Sequence, residues 1–193
     1  MSQPIDALDY RAALVRETDL LARVARTDLR ARVTHCPDWD LADLVAHVIA
    51  VFEFWHAIGT RAVAGPEDYE AQPRVPDDEL AARLVVAADA LATTVYPLDP
   101  AIPVWSWSAQ KNVGFIHRRM AQEITVHRWN GEQAVGDTTP IEPTLATDGI
   151  DEFLRIHLPA DPDQLVGALD RVCFATTDTN TSWTVDVGGD RVE

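Results

Sequence analysis

Glu123 and His127 stand four positions apart in Glu123-Ile124-Thr125-Val126-His127. On an α-helix such positions lie only about 40° apart around the axis, so the carboxylate and the imidazole would project from one face and could share an ion. His47 sits in Leu44-Val45-Ala46-His47-Val48-Ile49-Ala50-Val51. It falls on the stripe of Leu44, Val48 and Val51 that should turn inward, where a polar ring needs a partner. Two histidines and a carboxylate from two facing helices form the ligand set of catalytic zinc, which keeps a fourth position for water or substrate; a structural zinc would normally be closed by cysteines. His47, Glu123 and His127 are therefore the candidate ligands of one divalent metal, zinc by ligand type. Nickel, iron and manganese accept the same donors. A buried polar cluster without an ion is the competing reading of the same three residues.

The other histidines offer less. His117 lies on the same helix, about 80° around from His127, and reads as an accessory group or an ordinary helix-surface histidine. His56 faces the opposite side of its helix from His47, and His35 and His157 have no evident helix-face partner. No serine occupies a Gly-x-Ser-x-Gly elbow, and there is neither a phosphate loop nor a dinucleotide fingerprint. Trp105 and Trp107 lie in a proline-rich loop and either wall a pocket mouth or pack over the end of a bundle, the second being favoured.

The elements that must position these groups are mainly helical. Leu8, Leu14, Leu21 and Val24 recur at helical spacing from Ile5 to about Arg26, with Pro4 at a tolerated first-turn position. A second helix runs from Leu41 to Ile58, with Asp40 as N-cap, Asp43 adding charge to the first turn and Gly59 at its end. A third spans Asp77 to about Thr94, and the fourth covers Val113 to Asn130, with Gly131 where a helix would stop. A shorter fifth helix is expected from Leu145 to His157. Val172–Thr176 and Ser182–Val187 then read as strands around a polar turn at Asp178-Thr179-Asn180-Thr181. A lone hairpin is marginal in water, so it must dock on the bundle, pair with another chain or be the beginning of a larger sheet. The division is a helical metal-binding bundle over 1–160 and a hairpin over 161–193, the start of an incomplete C-terminal domain.

The 193 residues suffice for one well-buried domain. Sixteen basic residues against thirty-one acidic ones give a formal charge of −15, and Lys111 is the only lysine. That balance repels phosphate backbones and anionic lipid surfaces, so nucleic acid and membrane partners are not expected. Cys36 and Cys173 make neither a disulfide framework nor a Cys-x-x-Cys knuckle, which fits a reducing cytoplasm. No basic segment with an apolar run opens the chain, and no apolar stretch approaches ~20 uninterrupted residues.

The segment Cys36-Pro37-Asp38-Trp39-Asp40-Leu41-Ala42-Asp43-Leu44-Val45-Ala46-His47-Val48, together with Arg119-Met120-Ala121-Gln122-Glu123-Ile124-Thr125-Val126-His127-Arg128-Trp129-Asn130, resembles the mycothiol-dependent maleylpyruvate isomerase family. That family lies within the DinB-like metal-binding four-helix bundles, and the likeness spans residues 5–158. The resemblance implies an up-down-down-up bundle, with His47, Glu123 and His127 as metal ligands and mycothiol as thiol cosubstrate. The hairpin from Val172 resembles the opening of the family's C-terminal α/β domain, which in the isomerase supplies part of the thiol pocket and a needed arginine. Asn130 stands where many relatives have aspartate, outside the inferred ligand set.

The function expected from these readings is that of a metal-dependent isomerase or thiol transferase. A low-molecular-weight thiol would act through a metal-bound thiolate on a small electrophilic substrate. The alternative is a non-catalytic metal-binding or assembly module on the same bundle, for which the hairpin edge would offer a homodimer contact.

Overall fold

The computed structural model describes residues 8–160 and 171–186. Pro4, Ile5 and Val187, to which the sequence reading gave roles, lie outside them. Chain contacts group Asp9–Pro140 into one unit and the described residues from Ile141 onward into another.

Four helices build the first unit: α1 (Tyr10–Val24), α2 (Leu41–Gly59), α3 (Leu80–Ala90) and α4 (Val113–Val135). The start of α1 falls later than the apolar spacing suggested, because Asp9 caps it by accepting the Ala12 N–H at 2.9 Å. α2 opens on a reciprocal capping box: Asp40 Oδ1 accepts from Asp43 N at 3.0 Å and Asp43 Oδ2 from Asp40 N at 3.2 Å. α3 follows a 3₁₀ turn at Asp77–Glu79 and continues as a π-turn over Leu91–Val95. Asn112 caps α4 through the Phe115 N–H at 3.1 Å.

Each helix packs on two neighbours in the cyclic order α1, α4, α2, α3. Their directions follow from residue contacts. Glu17 meets Arg128 and Leu21 lies against Gly131, so α1 and α4 run together. His47 meets Glu123 while a side chain on Gly131 would strike Leu41 and Leu44, so α2 and α4 run in opposite senses. Glu53 pairs with Arg83, and Gly59 lies against Val95, so α2 and α3 are parallel. The result is the up-down-down-up bundle implied by the resemblance. α2 is long and apolar enough to cross a membrane on composition alone. Leu41, Leu44, Val45, Val48, Phe52 and Ile58 are all buried among the other helices, which explains that composition as a core helix.

Two glycines serve purposes other than the expected helix stops. Gly131 is internal to α4, where an added Cβ would lie 2.8 Å from Leu21 Cδ1. The helix runs on to Gly136, whose φ of 77° provides the left-handed cap. Gly59 likewise belongs to α2 and lets it approach the π-turn, since a Cβ there would meet Val95 Cγ1 at 2.8 Å and Cγ2 at 3.0 Å. Val95 is fully buried and β-branched, so it has little room to yield. Gly59→Ala should therefore destabilise the protein by about 1–3 kcal/mol despite the better helix propensity of alanine. Urea denaturation followed by circular dichroism would check this, and an unchanged or higher midpoint would contradict the close-approach account.

α1 and α4 are clamped by a buried ionic cluster. Arg128 is fully buried, and Glu17 and Glu132 are each 2% exposed. Arg128 Nε donates to Glu17 Oε2 at 2.7 Å, and Nη1 donates to Glu132 Oε2 and to the Thr139 carbonyl, both at 2.8 Å. Thr139 closes the cluster from the chain beyond α4, its N–H donating to Glu132 Oε2 at 2.7 Å.

The second unit contains α5 (Pro143–Glu152), a π-turn (Phe153–His157), a short helical turn (Leu158–Ala160), and the antiparallel strands β1 (Arg171–Ala175) and β2 (Ser182–Asp186). The strands pair Val172 with Val185 and Phe174 with Trp183. The hairpin packs on the helical elements of its own unit. Trp183 and Val185 pack with Leu154 and Leu158, and Trp183 Nε1 donates to Asp151 Oδ1 at 3.0 Å.

Candidate metal centre

α4 presents Arg119, Glu123 and His127 at successive i, i+4 positions, and the antiparallel α2 presents His47 opposite them. A single carboxylate oxygen is the meeting point. Glu123 Oε1 lies 3.3 Å from His47 Nε2 and 3.1 Å from His127 Nε2. One donor atom from each of the three half-buried residues lies within 4.8 Å of the others. The two imidazole rings meet edge to face, with centroids 5.1 Å apart. The other carboxylate oxygen, Oε2, accepts from Arg119 Nη2 at 3.2 Å. Arg119 thus fixes the carboxylate's orientation and leaves Oε1 for the histidines.

Burial alone would push the Glu123 carboxyl upward. Hydrogen bonds from His127 and His47, with the charges of His127 and Arg119, outweigh that and hold it well below the usual carboxylate range. It therefore remains an anion. Both carboxylate-to-imidazole separations also suit a divalent ion, and the two imidazole donors lie within 4.8 Å of each other. Donors at 2.0–2.1 Å from a tetrahedral centre are separated by roughly 3.3 Å, and the 3.1 and 3.3 Å separations match that edge. His127 Nδ1 is buried without a hydrogen-bond partner, so all the polar contact of that ring falls on the Nε2 edge facing Glu123. The same nitrogen can donate a proton to Oε1 or offer its lone pair to a shared cation.

Beside the site, the Trp39 ring lies 5.0 Å from that of His47. His35, which had no evident partner, stacks on Trp129 with centroids 6.0 Å apart and contacts Gln133 Oε1 through Nε2 at 3.0 Å. His117 is neither accessory to the site nor a surface residue. It is buried, its ring stacks on Tyr96 at 4.7 Å, and its Nε2 contacts the Val95 carbonyl at 3.0 Å, tying α4 to the end of the third helix. His56 faces away from His47, as its spacing indicated, and meets Thr94 Oγ1 at 2.9 Å. His157 stacks on Phe153 at 6.1 Å. Trp105 stacks on Trp55 at 5.8 Å and Trp107 meets Phe115 edge-on at 5.3 Å, so both rings pack on helix aromatics, and Trp105 also lines a cleft.

Two contributors escaped the sequence reading. Arg119 could have been found by extending the i, i+4 ladder one turn back from Glu123. Trp39 carried no spacing signal, because a loop side chain reaches His47 only through the folded chain.

The family model for the mycothiol maleylpyruvate isomerase N-terminal domain matches residues 10–130, a span containing all of α1, α2, α3 and the three converging groups. No curated protein and no solved structure gives a match.

Proposed function

Because the chain belongs to the mycothiol maleylpyruvate isomerase N-terminal domain family, we propose that it is a metal-dependent enzyme that uses a low-molecular-weight thiol, mycothiol, on a small electrophilic substrate. The reaction is isomerisation where the added thiol leaves again and thiol transfer where it stays. The observation that carries this reading is the convergence of His47 Nε2 and His127 Nε2 on Glu123 Oε1 within the family-matched span.

His47, Glu123 and His127 would hold the ion, which is zinc by donor type. When bound, it supplies Lewis acidity that lowers the pKa of a thiol, so that thiolate is present at neutral pH. The three donors carry one negative charge between them, leaving a dication short of neutrality by one charge. That imbalance favours an anionic fourth partner over a neutral one. Arg119 holds the second carboxylate oxygen, preventing Glu123 from turning it inward and occupying the fourth position. Trp39 packs against one side of the His47 ring.

Elemental analysis of untagged protein, followed by thermal denaturation with mycothiol, glutathione and bacillithiol in turn, tests the proposal. About one zinc per chain is expected, with mycothiol raising the melting temperature because ligand binding stabilises the native state. Zinc with no shift for any thiol would reject thiol use in favour of a metal-binding module. A metal-free protein that also fails to take up added zinc would reject the centre itself.

A further inference from the structure

At the end of the bundle where α2 finishes and α4 begins, Ile58, Arg61, Val63, Asp68, Trp105 and Lys111 help to line a cleft of about 680 Å³. This volume is in the range of small-molecule sites. Ile58 is eleven residues along α2 from His47, about 16 Å at the helical rise per residue. The metal centre and the cleft are therefore separate places on the bundle.

Four features of the cleft bear on its ligand. Its charged residues are Arg61, Lys111 and Asp68, a net positive wall on a chain whose formal charge is −15. Among the described residues, neither Arg61 nor Lys111 pairs with an acid, Asp68 included, whereas Arg30, Arg74, Arg83, Arg119 and Arg128 each do. Arg61 also occupies a backbone position that suits glycine. Its φ is 60°, and it follows α2 in a Schellman cap, with Arg61 N–H donating to the Ile58 carbonyl at 3.0 Å and Ala62 N–H to Ala57 at 2.9 Å. A glycine there would avoid the Cβ strain, so arginine at this position carries a local conformational cost. Trp105 is the aromatic residue of the lining.

We propose that this cleft binds a small planar organic anion, its flat body against Trp105 and its carboxylate on Arg61 and Lys111. The site is independent of the metal centre.

The test uses the full chain with naphthoate and the uncharged comparison compound naphthol, followed by isothermal titration calorimetry near neutral pH. Naphthoate should bind saturably and about tenfold more tightly than naphthol, the difference being the charge-assisted contacts. Arg61→Gly and Lys111→Gln should each weaken naphthoate by about five- to tenfold and leave naphthol nearly unaffected. The melting temperature of Arg61→Gly should be unchanged or higher, because the substitution relieves the left-handed conformation. Lys111→Gln lies on an exposed loop and carries the test if the first variant is impaired. His127→Ala should leave naphthoate affinity unchanged, which separates this site from the metal. No saturable binding, equal affinity for naphthol, or loss in His127→Ala with none in Arg61→Gly and Lys111→Gln would overturn the proposal.

Discussion

Alanine in place of His127 is expected to lower zinc affinity by about 100-fold or more while leaving the fold intact. A structural zinc site in a peptide is worth about 10–16 kcal/mol shared among its ligands, so one lost imidazole removes a few kcal/mol of binding. The fold should tolerate the change, because the ring is only half-buried and one of its nitrogens makes no hydrogen bond. Arg119→Gln should act on the same quantity more weakly, by about 10–100-fold, since it releases the Glu123 carboxylate without removing a donor. Competition titrations against a chelating indicator would rank the three proteins. Equal affinities for all three would show that the ion, if one binds, is held elsewhere.

The second large effect concerns stability. Arg128→Ala should cost about 3–5 kcal/mol, because breaking a buried pair leaves an uncompensated charge. Glu17 and Glu132 would remain almost fully enclosed, with no guanidinium between them. Glu17 would keep one contact, since Arg16 Nε lies 3.0 Å from its Oε1. That arginine is half exposed and cannot replace the central one. Adding Glu17→Gln to Arg128→Met should recover part of the loss, because the double replacement removes a charge along with its partner. Chemical denaturation of the single and double variants would measure this. A drop below about 1 kcal/mol for Arg128→Ala would mean that water reaches the cluster.

The sequence revealed what repeats along one helix and concealed what depends on two. The apolar stripes gave four long helices, and the i, i+4 spacing of Glu123 and His127 with the inward stripe of His47 identified the groups that meet at one oxygen. Glycine was ambiguous. At Gly131 and Gly59 it permits side chains of neighbouring helices to approach, a tertiary demand that looks the same in sequence as a helix stop. His117 was read as a surface residue because nothing local marks the carbonyl and tyrosine ring that bury it. Glu17 and Arg128 lie 111 residues apart, and only the packed bundle explains charged residues on interior faces.

The antiparallel crossing of α2 and α4 makes the centre a reporter of assembly. α4 alone carries a two-point chelate, weak in isolation, and the third donor arrives only when a helix from much earlier in the chain docks beside it. Tight uptake of an ion during refolding would therefore time that docking event, and a collapsed intermediate with every helix formed but α2 misplaced would remain silent.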